Sequence, residues 1–341
     1  MVFRKKASIL EVAEKAGVSP ATVSRVLNKT ARVSPQLTKR VLSAVEELRY
    51  APDPFAYGMR TKKTRTIGLI ISDITNPFFP EMTRAIEDYA RSRGYSLILC
   101  NTGSNIEKGK SYVHLLLNRG VDGLIFTSLR IGKEEVLSIL KENIPCILVG
   151  RRAEGIEGLS YIVTDNYKGG MIAADYLFEL GHRRFVHVTG TLDNSTGKER
   201  LNGFINRLKG RGVKEEDIYI IKGNFKMESG YKAAKEVLKL KPLPTAIFFA
   251  NDAMAIGALQ RFWEERIIIP ETFSIVGFDN IKVSSLVAPP LTTISQEIYK
   301  LGELAAQRLI GFIEGDKEKV KIVLEPTLVE RKSCRRVLDE T

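Results

Sequence analysis

Residues 8–28, SILEVAEKAGVSPATVSRVLN, have the pattern of two short helices joined by a tight turn. Ser8 opens a capping box, and Gly17 stands where the first helix must end. Ser19 and Pro20 suit the N-cap and the first position of a second helix. The sequence therefore predicts a helix-turn-helix at the start of the chain.

The outer side of the second helix carries residue types that suit the major groove of DNA. Arg25 can pair with guanine, whereas Ala21 offers only apolar contact, for instance to a thymine methyl group. The small, hydrogen-bonding or cationic residues on or near this side are Ala21, Thr22, Ser24, Arg25 and Asn28. An ordinary helical hairpin with a solvated polar face is the alternative that periodicity alone leaves open.

Positive charge is concentrated near this stretch. Residues 1–65 hold 14 Lys and Arg against 5 Asp and Glu, whereas the rest of the chain holds 38 against 35. Three quarters of the formal net charge of +12 therefore lies in the first fifth of the chain. This asymmetry favours a head that binds a polyanion, attached to a nearly neutral body. Ser34 and Pro35 open a third helix of the head, and residues 50–66 follow as a linker.

From Ile67 onward, apolar runs of strand length alternate with amphipathic runs of helix length. This alternation is typical of parallel, doubly wound sheets. It predicts nine or ten strands, too many for one sheet, so we expect two lobes with a cleft between them. The last predicted strands are LTTISQ (291–296) and VKIVLEPTLVE (320–330). The predicted helices are 78–93, 106–119, 133–142, 167–180, 197–210, 227–240, 253–265 and 297–313.

Polar side chains follow several of these strands. In open α/β sheets, ligands bind at the carboxyl ends of the strands. Here those ends carry Asp73, Asn101, Asp165, Asn251, Asp252 and Asp279. Carboxylates and amides can pair with neighbouring hydroxyl groups, and aromatic rings offer flat apolar faces, so the set favours a carbohydrate or a nucleoside. The alternative for each residue is a helix N-cap, as Asp252 is expected to be for helix 253–265.

Several classes of protein are excluded by what the sequence lacks. The motifs GxxxxGK[ST], HExxH and GxSxG are absent, as is GxGxxG after a strand. Cys100, Cys146 and Cys334 form no CxxC pair, so no disulfide framework or metal site is indicated. No run approaches the ~20 apolar residues of a membrane span, and no signal-peptide core is recognisable. We expect a cytoplasmic protein that is not an enzyme and uses no cofactor.

From about Ser8 to Arg331, the chain resembles the LacI/GalR (lactose-repressor) family of bacterial transcription regulators. The motifs that carry the resemblance are VAEKAGVSPATVSRVLN, VSPQLTKRVLSAVEELRYAPD, ISDITNPFFPEM, DNYKGG, ELGHRR, FFANDAMAIGAL, IVGFDN and PPLTTISQ. The resemblance implies a helix-turn-helix head, a hinge helix and an α/β core of two lobes. Such a core is like that of periplasmic binding proteins, with two parallel doubly wound sheets.

The resemblance also implies the domain boundaries. The head is expected at 1–50 and the hinge helix or linker at 51–65. Lobe 1 is expected to combine 66–164 with 292–323, and lobe 2 to combine 165–291 with 324–341. Since no heptad extension of the kind that makes tetramers follows the core, a homodimer is expected.

A homodimer of this kind implies a pseudo-palindromic, double-stranded DNA operator as partner. The helix at about 20–28 would enter the major groove, and Met59 would be the wedge in the minor groove. The predicted DNA-binding residues are Ser8, Ser19, Pro20, Ala21, Thr22, Ser24, Arg25, Asn28, Arg32, Ser34, Tyr50, Ala56 and Met59.

A small-molecule effector would bind between the lobes. By the resemblance, the predicted effector-binding residues are Asp73, Phe78, Phe79, Asp165, Arg200, Phe225, Asn251, Asp279 and Gln296. The leading hypothesis is a nucleoid-associated repressor of sugar-utilisation genes, controlled by a small sugar. The alternatives are a regulator that responds to a purine, a nucleoside or a protein corepressor, and a transport-type sugar-binding protein.

Overall fold

The computed structural model describes residues 7–28, 31–50, 64–128 and 131–337. The chain divides into two compact units, and the boundary in the sequence lies between Thr64 and Arg65. We call residues 7–50 of the first unit the head, and the second unit the core. Most of the predicted linker, including Ala56 and Met59, lies outside the described residues.

The head consists of three helices, α1 (Ile9–Ala16), α2 (Pro20–Asn28) and α3 (Pro35–Glu47). The capping box at Ser8 is formed, and Gly17 ends α1 in the left-handed conformation with φ +61°. Both features agree with the helix-turn-helix predicted for this stretch.

The hydrophobic interior of the head is small. Its buried side chains are Val12, Ala13, Ala16, Val23, Val41 and Ala44. Outside it, the Arg40 guanidinium donates to the Gly17 carbonyl group at 3.4 Å, which ties α3 to the turn between α1 and α2.

The core unit alternates strands and helices along its whole length. Its first half contains β1 (Thr66–Ile71), α4 (Phe78–Ser92), β2 (Ser96–Asn101), α5 (Ile106–Asn118), β3 (Gly123–Phe126), α6 (Lys133–Lys141), β4 (Cys146–Val149) and β5 (Ser160–Thr164). Next come α7 (Asn166–Glu179), β6 (Phe185–Thr189), α8 (Ser195–Gly210), β7 (Ile218–Lys222), α9 (Met227–Val237), β8 (Ala246–Phe249), α10 (Asp252–Glu264), β9 (Ser274–Asp279) and β10 (Thr292–Ser295). The chain closes with α11 (Ile298–Glu314), β11 (Lys321–Leu324) and β12 (Thr327–Val329).

These strands form two six-stranded sheets, one in each lobe. The sheet of lobe 1 has the order β11-β5-β4-β3-β1-β2, and that of lobe 2 has the order β12-β10-β9-β8-β6-β7. Every neighbouring pair is parallel except β10 and β12. The predicted two-lobed, doubly wound architecture is therefore confirmed, with twelve strands in the described residues rather than nine or ten.

One predicted lobe boundary is wrong. The family resemblance predicts that 292–323 belongs to lobe 1, but β10 pairs in parallel with β9 in the sheet of lobe 2. The chain therefore returns to lobe 1 only at Gln296, after β10 has ended. An apolar strand pattern does not reveal which sheet a strand joins, because that choice depends on pairing with residues distant in sequence.

The run VKIVLEPTLVE is divided between the two lobes. β11 pairs with β5 in lobe 1, whereas β12 pairs with β10 in lobe 2. Within residues 131–337, the chain thus crosses between the lobes three times, after Thr164, after Ser295 and after Leu324. No helix in the described residues is both long and apolar enough to span a bilayer.

Glycines let paired helices of lobe 2 approach backbone to backbone. A Cβ on Gly230 of α9 would lie 1.9 Å from the carbonyl oxygen of Met254 in α10. A Cβ on Gly257 of α10 would lie 2.0 Å from the carbonyl oxygen of Met227 in α9. Each helix therefore offers its partner a position where no side chain fits.

His187 is a neutral histidine in the core of lobe 2. Its ring stacks on Phe248 with 4.6 Å between centroids, and its Nδ1 lies 3.0 Å from the Phe248 carbonyl oxygen. Burial lowers the pKa of His187 to about 3, from an ordinary value of 6.5. Nε2 is buried and has no partner in the described residues.

Replacing His187 with phenylalanine is expected to make the protein less sensitive to acid. Between pH 6.5 and about 3, the unfolded wild-type chain binds a proton at this residue that the folded chain does not. Through this residue, the free energy of unfolding therefore decreases by about 1.4 kcal/mol for each unit by which the pH is lowered. Urea unfolding of both proteins at pH 7.5 and pH 5 measures the difference, and equal losses in the two proteins would contradict it.

Candidate functional site

A cavity of about 390 Å³ lies between the two lobes. Lobe 1 contributes Ser72, Asp73, Asn76, Phe78, Phe79, Gly103, Ser104, Thr127, Ser128, Val149, Gly150 and Arg151. Lobe 2 contributes Thr191, Asn194, Thr196, Arg200, Asn224, Phe225, Lys226, Asn251 and Asp279, and Gln296 lies at a crossover. Of the nine predicted effector-binding residues, the structure brings all but Asp165 to this cavity.

Asp165 has a different role from the predicted one. Its side chain accepts a hydrogen bond from the backbone N–H of Lys168 at 2.9 Å and caps α7. It does not line the cavity. The neighbouring Asn166, which was not predicted as a site residue, is the one that contacts Arg200.

Arg200 and Asp279 form a buried ion pair at the cavity wall. Nη1 of Arg200 lies 3.4 Å from Oδ1 of Asp279, and both side chains are at most 5% exposed. Burial lowers the pKa of Arg200 to about 10 and raises that of Asp279 to about 6, with each partner opposing the shift of the other. Each group thus favours the charged form of the other.

The guanidinium group of Arg200 is held on several sides. Nε donates to Oδ1 of Asn166 at 2.8 Å, and Nη1 also donates to the Ala250 carbonyl group. The group lies over the Phe278 ring, 3.6 Å from the centroid, as cations on aromatic faces do. Nη2 makes no hydrogen bond within the described residues, so its donors remain available to a ligand.

Asp279 and Gln296 also keep unused polar atoms. Gln296 donates from Nε2 to Oδ1 of Asp279 at 2.5 Å. Neither Oδ2 of Asp279 nor Oε1 of Gln296 has a hydrogen-bond partner among the described residues. With Nη2 of Arg200, this part of the cavity wall offers one donor nitrogen, which carries two N–H groups, and two acceptor oxygens.

The turn after β9 is strained. Asp279 has φ +117° and Asn280 has φ +60°, values that non-glycine residues adopt rarely. Oδ2 of Asp252 accepts from the Ile281 N–H at 3.0 Å and so holds the end of this turn. A Cβ at Gly277 would lie 2.1 Å from Oδ1 of Asp252, so the glycine in VGFD makes room for this buried carboxyl group.

The predicted N-cap of α10 is wrong by one residue. Asn251 caps the helix through Oδ1, which accepts from the Met254 N–H at 3.1 Å, whereas Asp252 is the first helical residue. Nδ2 of Asn251 donates to the Phe225 carbonyl group at 2.9 Å. Asn251 therefore fixes the cavity wall that Phe225 forms.

Lobe 1 contributes a carboxylate and two rings to the cavity. Oδ1 of Asp73 accepts from the backbone N–H and the hydroxyl group of Thr75, at 3.0 and 2.7 Å. Oδ2 of Asp73 has no partner in the described residues. Phe78 and Phe79 meet edge to face, with centroids 5.2 Å apart.

Three polar contacts join the segment after β4 to α8 across the lobes, and none was predicted. The Thr196 hydroxyl group donates to the Gly150 carbonyl group at 3.2 Å, and the Arg152 N–H donates to the Ser195 hydroxyl oxygen at 3.1 Å. Nε of Arg152 donates to Oε1 of Glu199 at 2.7 Å. These contacts fix the two lobes against each other in this conformation.

In the head, α2 presents the predicted DNA-binding surface. Pro20, Ala21 and Arg25 are exposed, whereas Val23 on the opposite side is buried. The Ser19 hydroxyl oxygen accepts from the Thr22 N–H at 3.2 Å, and Thr22 and Ser24 are partly buried. The structure describes the backbone of Asn28 but not its side chain.

The remaining predicted DNA-binding residues lie around the other helices of the head. Ser8 and Ser34 are exposed, and their hydroxyl groups cap α1 and α3. Arg32 is exposed between α2 and α3, and Tyr50 is partly buried against the small core of the head.

No cluster of three or more His, Cys, Asp or Glu side chains within the described ranges is arranged to hold a metal ion.

Two family models match the chain. The model of bacterial regulatory proteins of the lacI family matches residues 8–53, and the model of a periplasmic binding protein-like domain matches residues 174–334. The HTH-type transcriptional repressor PurR of Aliivibrio salmonicida is 36% identical over 335 residues, which cover 97% of this chain and 100% of that protein.

Solved structures resemble most or nearly all of the chain. A lac repressor dimer bound to operator and the anti-inducer ONPF has a TM-score of 0.86 at 29% identity, covering 97% of this chain and 100% of that one. A LacI family regulator of Enterococcus faecium with bound ribose has a TM-score of 0.74 at 30% identity, covering 80% and 100%.

Proposed function

The chain belongs to the lacI family of bacterial regulatory proteins and is a DNA-binding transcriptional repressor, and from this premise we propose that a small sugar in the inter-lobe cavity controls its operator affinity. Members of this family regulate transcription and are not enzymes. A repressor of this kind works on DNA in the cytoplasm, at the nucleoid.

The polar lining of the cavity is the observation that carries the sugar proposal. Ligand pockets are mostly apolar with a few polar groups. Among the described residues that line this cavity, apolar side chains come only from Phe78, Phe79, Val149 and Phe225. Neighbouring hydroxyl groups of a sugar can donate to Asp279 and Gln296 while they accept from Arg200, so such a ligand satisfies all three. The ribose in the Enterococcus faecium relative supports the same class.

Titration calorimetry with a fixed panel tests the proposal. The panel contains D-ribose, D-glucose, cellobiose, adenine and guanosine. We expect a sugar to bind most tightly, with competition between sugars for one site per chain. The sugar proposal would be overturned if adenine or guanosine bound more tightly than every sugar, or if no sugar bound.

A purine-responsive repressor is the second candidate, because of one specific observation. The relative from Aliivibrio salmonicida at 36% identity over nearly the whole chain is a PurR repressor. The rings of Phe78, Phe79 and Phe225 at the cavity could stack on a purine base. The purine members of the panel decide between the two candidates.

For DNA, we propose that two copies of the chain bind a pseudo-palindromic operator. The lac repressor relative is a dimer on its operator. In this proposal α2 enters the major groove, Arg25 makes the main base contact, and Met59 is the minor-groove wedge. A transport-type binding protein would not need a DNA-binding head, whereas the lacI family model matches residues 8–53 of this chain.

Replacing Arg25 with alanine is expected to weaken specific binding selectively. A good side-chain contact to a base edge is worth about 1–3 kcal/mol, or about 5- to 150-fold in affinity. Fluorescence anisotropy at fixed salt would compare an operator selected by the wild-type protein with a scrambled duplex. The matched control is Lys39→Ala, which removes an exposed charge from α3. Equal losses of the Arg25 variant on the two duplexes would contradict base readout by this residue.

A further inference from the structure

Five buried residues, three of which line the cavity, form a closed ring of hydrogen bonds. Asn166 donates from Nδ2 to the Thr164 carbonyl group at 3.0 Å and accepts at Oδ1 from Nε of Arg200 at 2.8 Å. Arg200 and Gln296 both donate to Oδ1 of Asp279. The Thr164 hydroxyl group donates to the Gln296 carbonyl group at 3.3 Å and closes the ring.

The polar ring joins the ligand-facing groups to two of the three crossovers between the lobes. Thr164 and Asn166 flank the first crossover, and Gln296 lies at the second. All five residues are at most 4% exposed. Thr164 and Asn166 do not line the cavity and are fully buried, so the orientation of Asn166 depends on its two partners in the ring.

Asn166 is the member of the ring that fixes the direction of the guanidinium group. Arg200 has one Nε–H, and its bond to Asn166 sets the plane in which the group lies. Nη1 donates to the Ala250 carbonyl group and to Oδ1 of Asp279. With the plane set by Asn166, Nη2 is then the nitrogen that can donate to a ligand in the cavity. Asn166 itself does not line the cavity.

We propose that Asn166 is a positioning residue that sets effector affinity through Arg200. The inference rests on the proposed effector site, but not on whether the effector is a sugar or a purine. A hydrogen bond to a charged group contributes enough that its loss lowers affinity about 10- to 100-fold.

Two variants isolate the bond to Arg200. Asn166→Leu removes the acceptor for Nε, whereas Asn166→Asp keeps an oxygen in its place. A carboxylate cannot donate to the Thr164 carbonyl group, so at neutral pH both variants lose that bond. The difference between them therefore measures the contact with Arg200. If the leucine variant does not fold, Asn166→Ser provides the comparison, because a serine hydroxyl group is too short to reach Nε.

The probe is the tightest ligand of the calorimetric panel defined above. We expect the leucine or serine variant to lose about 10- to 100-fold in affinity and the aspartate variant to stay within about threefold of wild type. Thermal unfolding without ligand and operator affinity without ligand are measured on the same samples, to separate positioning from stability. The matched control is Asp165→Asn, which keeps a good cap on α7 and is expected to bind like wild type.

Either of two results would overturn the proposal. The first is an equal loss of affinity in the aspartate and leucine variants, and the second is wild-type affinity in a folded leucine or serine variant. If adenine or guanosine proves to be the tightest ligand, the sugar proposal fails, and the same comparison with that purine still decides the role of Asn166.

Discussion

Replacing Arg200 with methionine is expected to abolish effector binding and to lower the free energy of unfolding by about 3–5 kcal/mol. The substitution leaves Asp279 as a buried carboxyl group without its cation, and leaves Asn166 without its Nε donor. Removing one partner of a buried pair is costly because the remaining charge has no compensation. Urea unfolding and calorimetry measure the two effects.

A double variant separates the two effects of this substitution. In Arg200→Met with Asp279→Leu, both buried charges are gone, so we expect most of the lost stability to return. Effector binding is not expected to return, since the donor at Nη2 and the acceptor at Oδ2 are both missing. Effector binding by this double variant would show that the pair is not part of the site.

Arg207 provides a matched control on the same helix. Its Nε donates to Asp175 at 2.7 Å, but its side chain is 37% exposed. Exposed pairs contribute about 0–1 kcal/mol, so Arg207→Met should cost little and leave effector binding unchanged. A large loss of binding from this control would mean that damage to α8, rather than to the buried pair, explains the Arg200 result.

Replacing Gly230 with alanine is expected to destabilise lobe 2 by about 3 kcal/mol. The new methyl group would lie 1.9 Å from the carbonyl oxygen of Met254, which belongs to the backbone of α10 and cannot rotate away. The two helices must separate, and the packing of both against the sheet is lost with them. Thermal and urea unfolding measure the effect.

Gly210 in α8 is the control for this prediction. A Cβ there would meet nothing within 4 Å, and the residue does not have a positive φ. Gly210→Ala is therefore expected to stabilise the protein slightly, by about 0.4–1 kcal/mol, because alanine restricts the unfolded chain. Equal changes in stability from the two substitutions would contradict the conclusion that close helix packing at Gly230 causes the loss of stability.

The sequence predicts elements well and pairings poorly. The eight helices predicted for the core have ends that lie within three residues of the observed ends, because amphipathic periodicity and end signals are local. The assignment of β10 to lobe 1 is wrong, because the pairing of β10 with β9 is not encoded within the run LTTISQ itself.

The candidate site shows the same division between local and distant information. Strand-end positions and the family resemblance select Arg200, Asp279 and Gln296, which the structure brings together at one cavity. They do not distinguish Asp165 from Asn166, although the first caps a helix and the second contacts Arg200. Asp165 turns to the nearby backbone N–H of Lys168, whereas Asn166 turns to Arg200 of α8, which is distant in sequence.

The division of residues 321–329 between the lobes has a consequence for biosynthesis. β11 and β12 are edge strands of the two sheets, and they are the last strands of the described chain to leave the ribosome. Until then, β5 and β10 each present an unpaired edge on which another nascent chain could add a strand. Both lobes therefore become complete at nearly the same moment, and a chain that stops before residue 320 would leave both sheets open to aggregation.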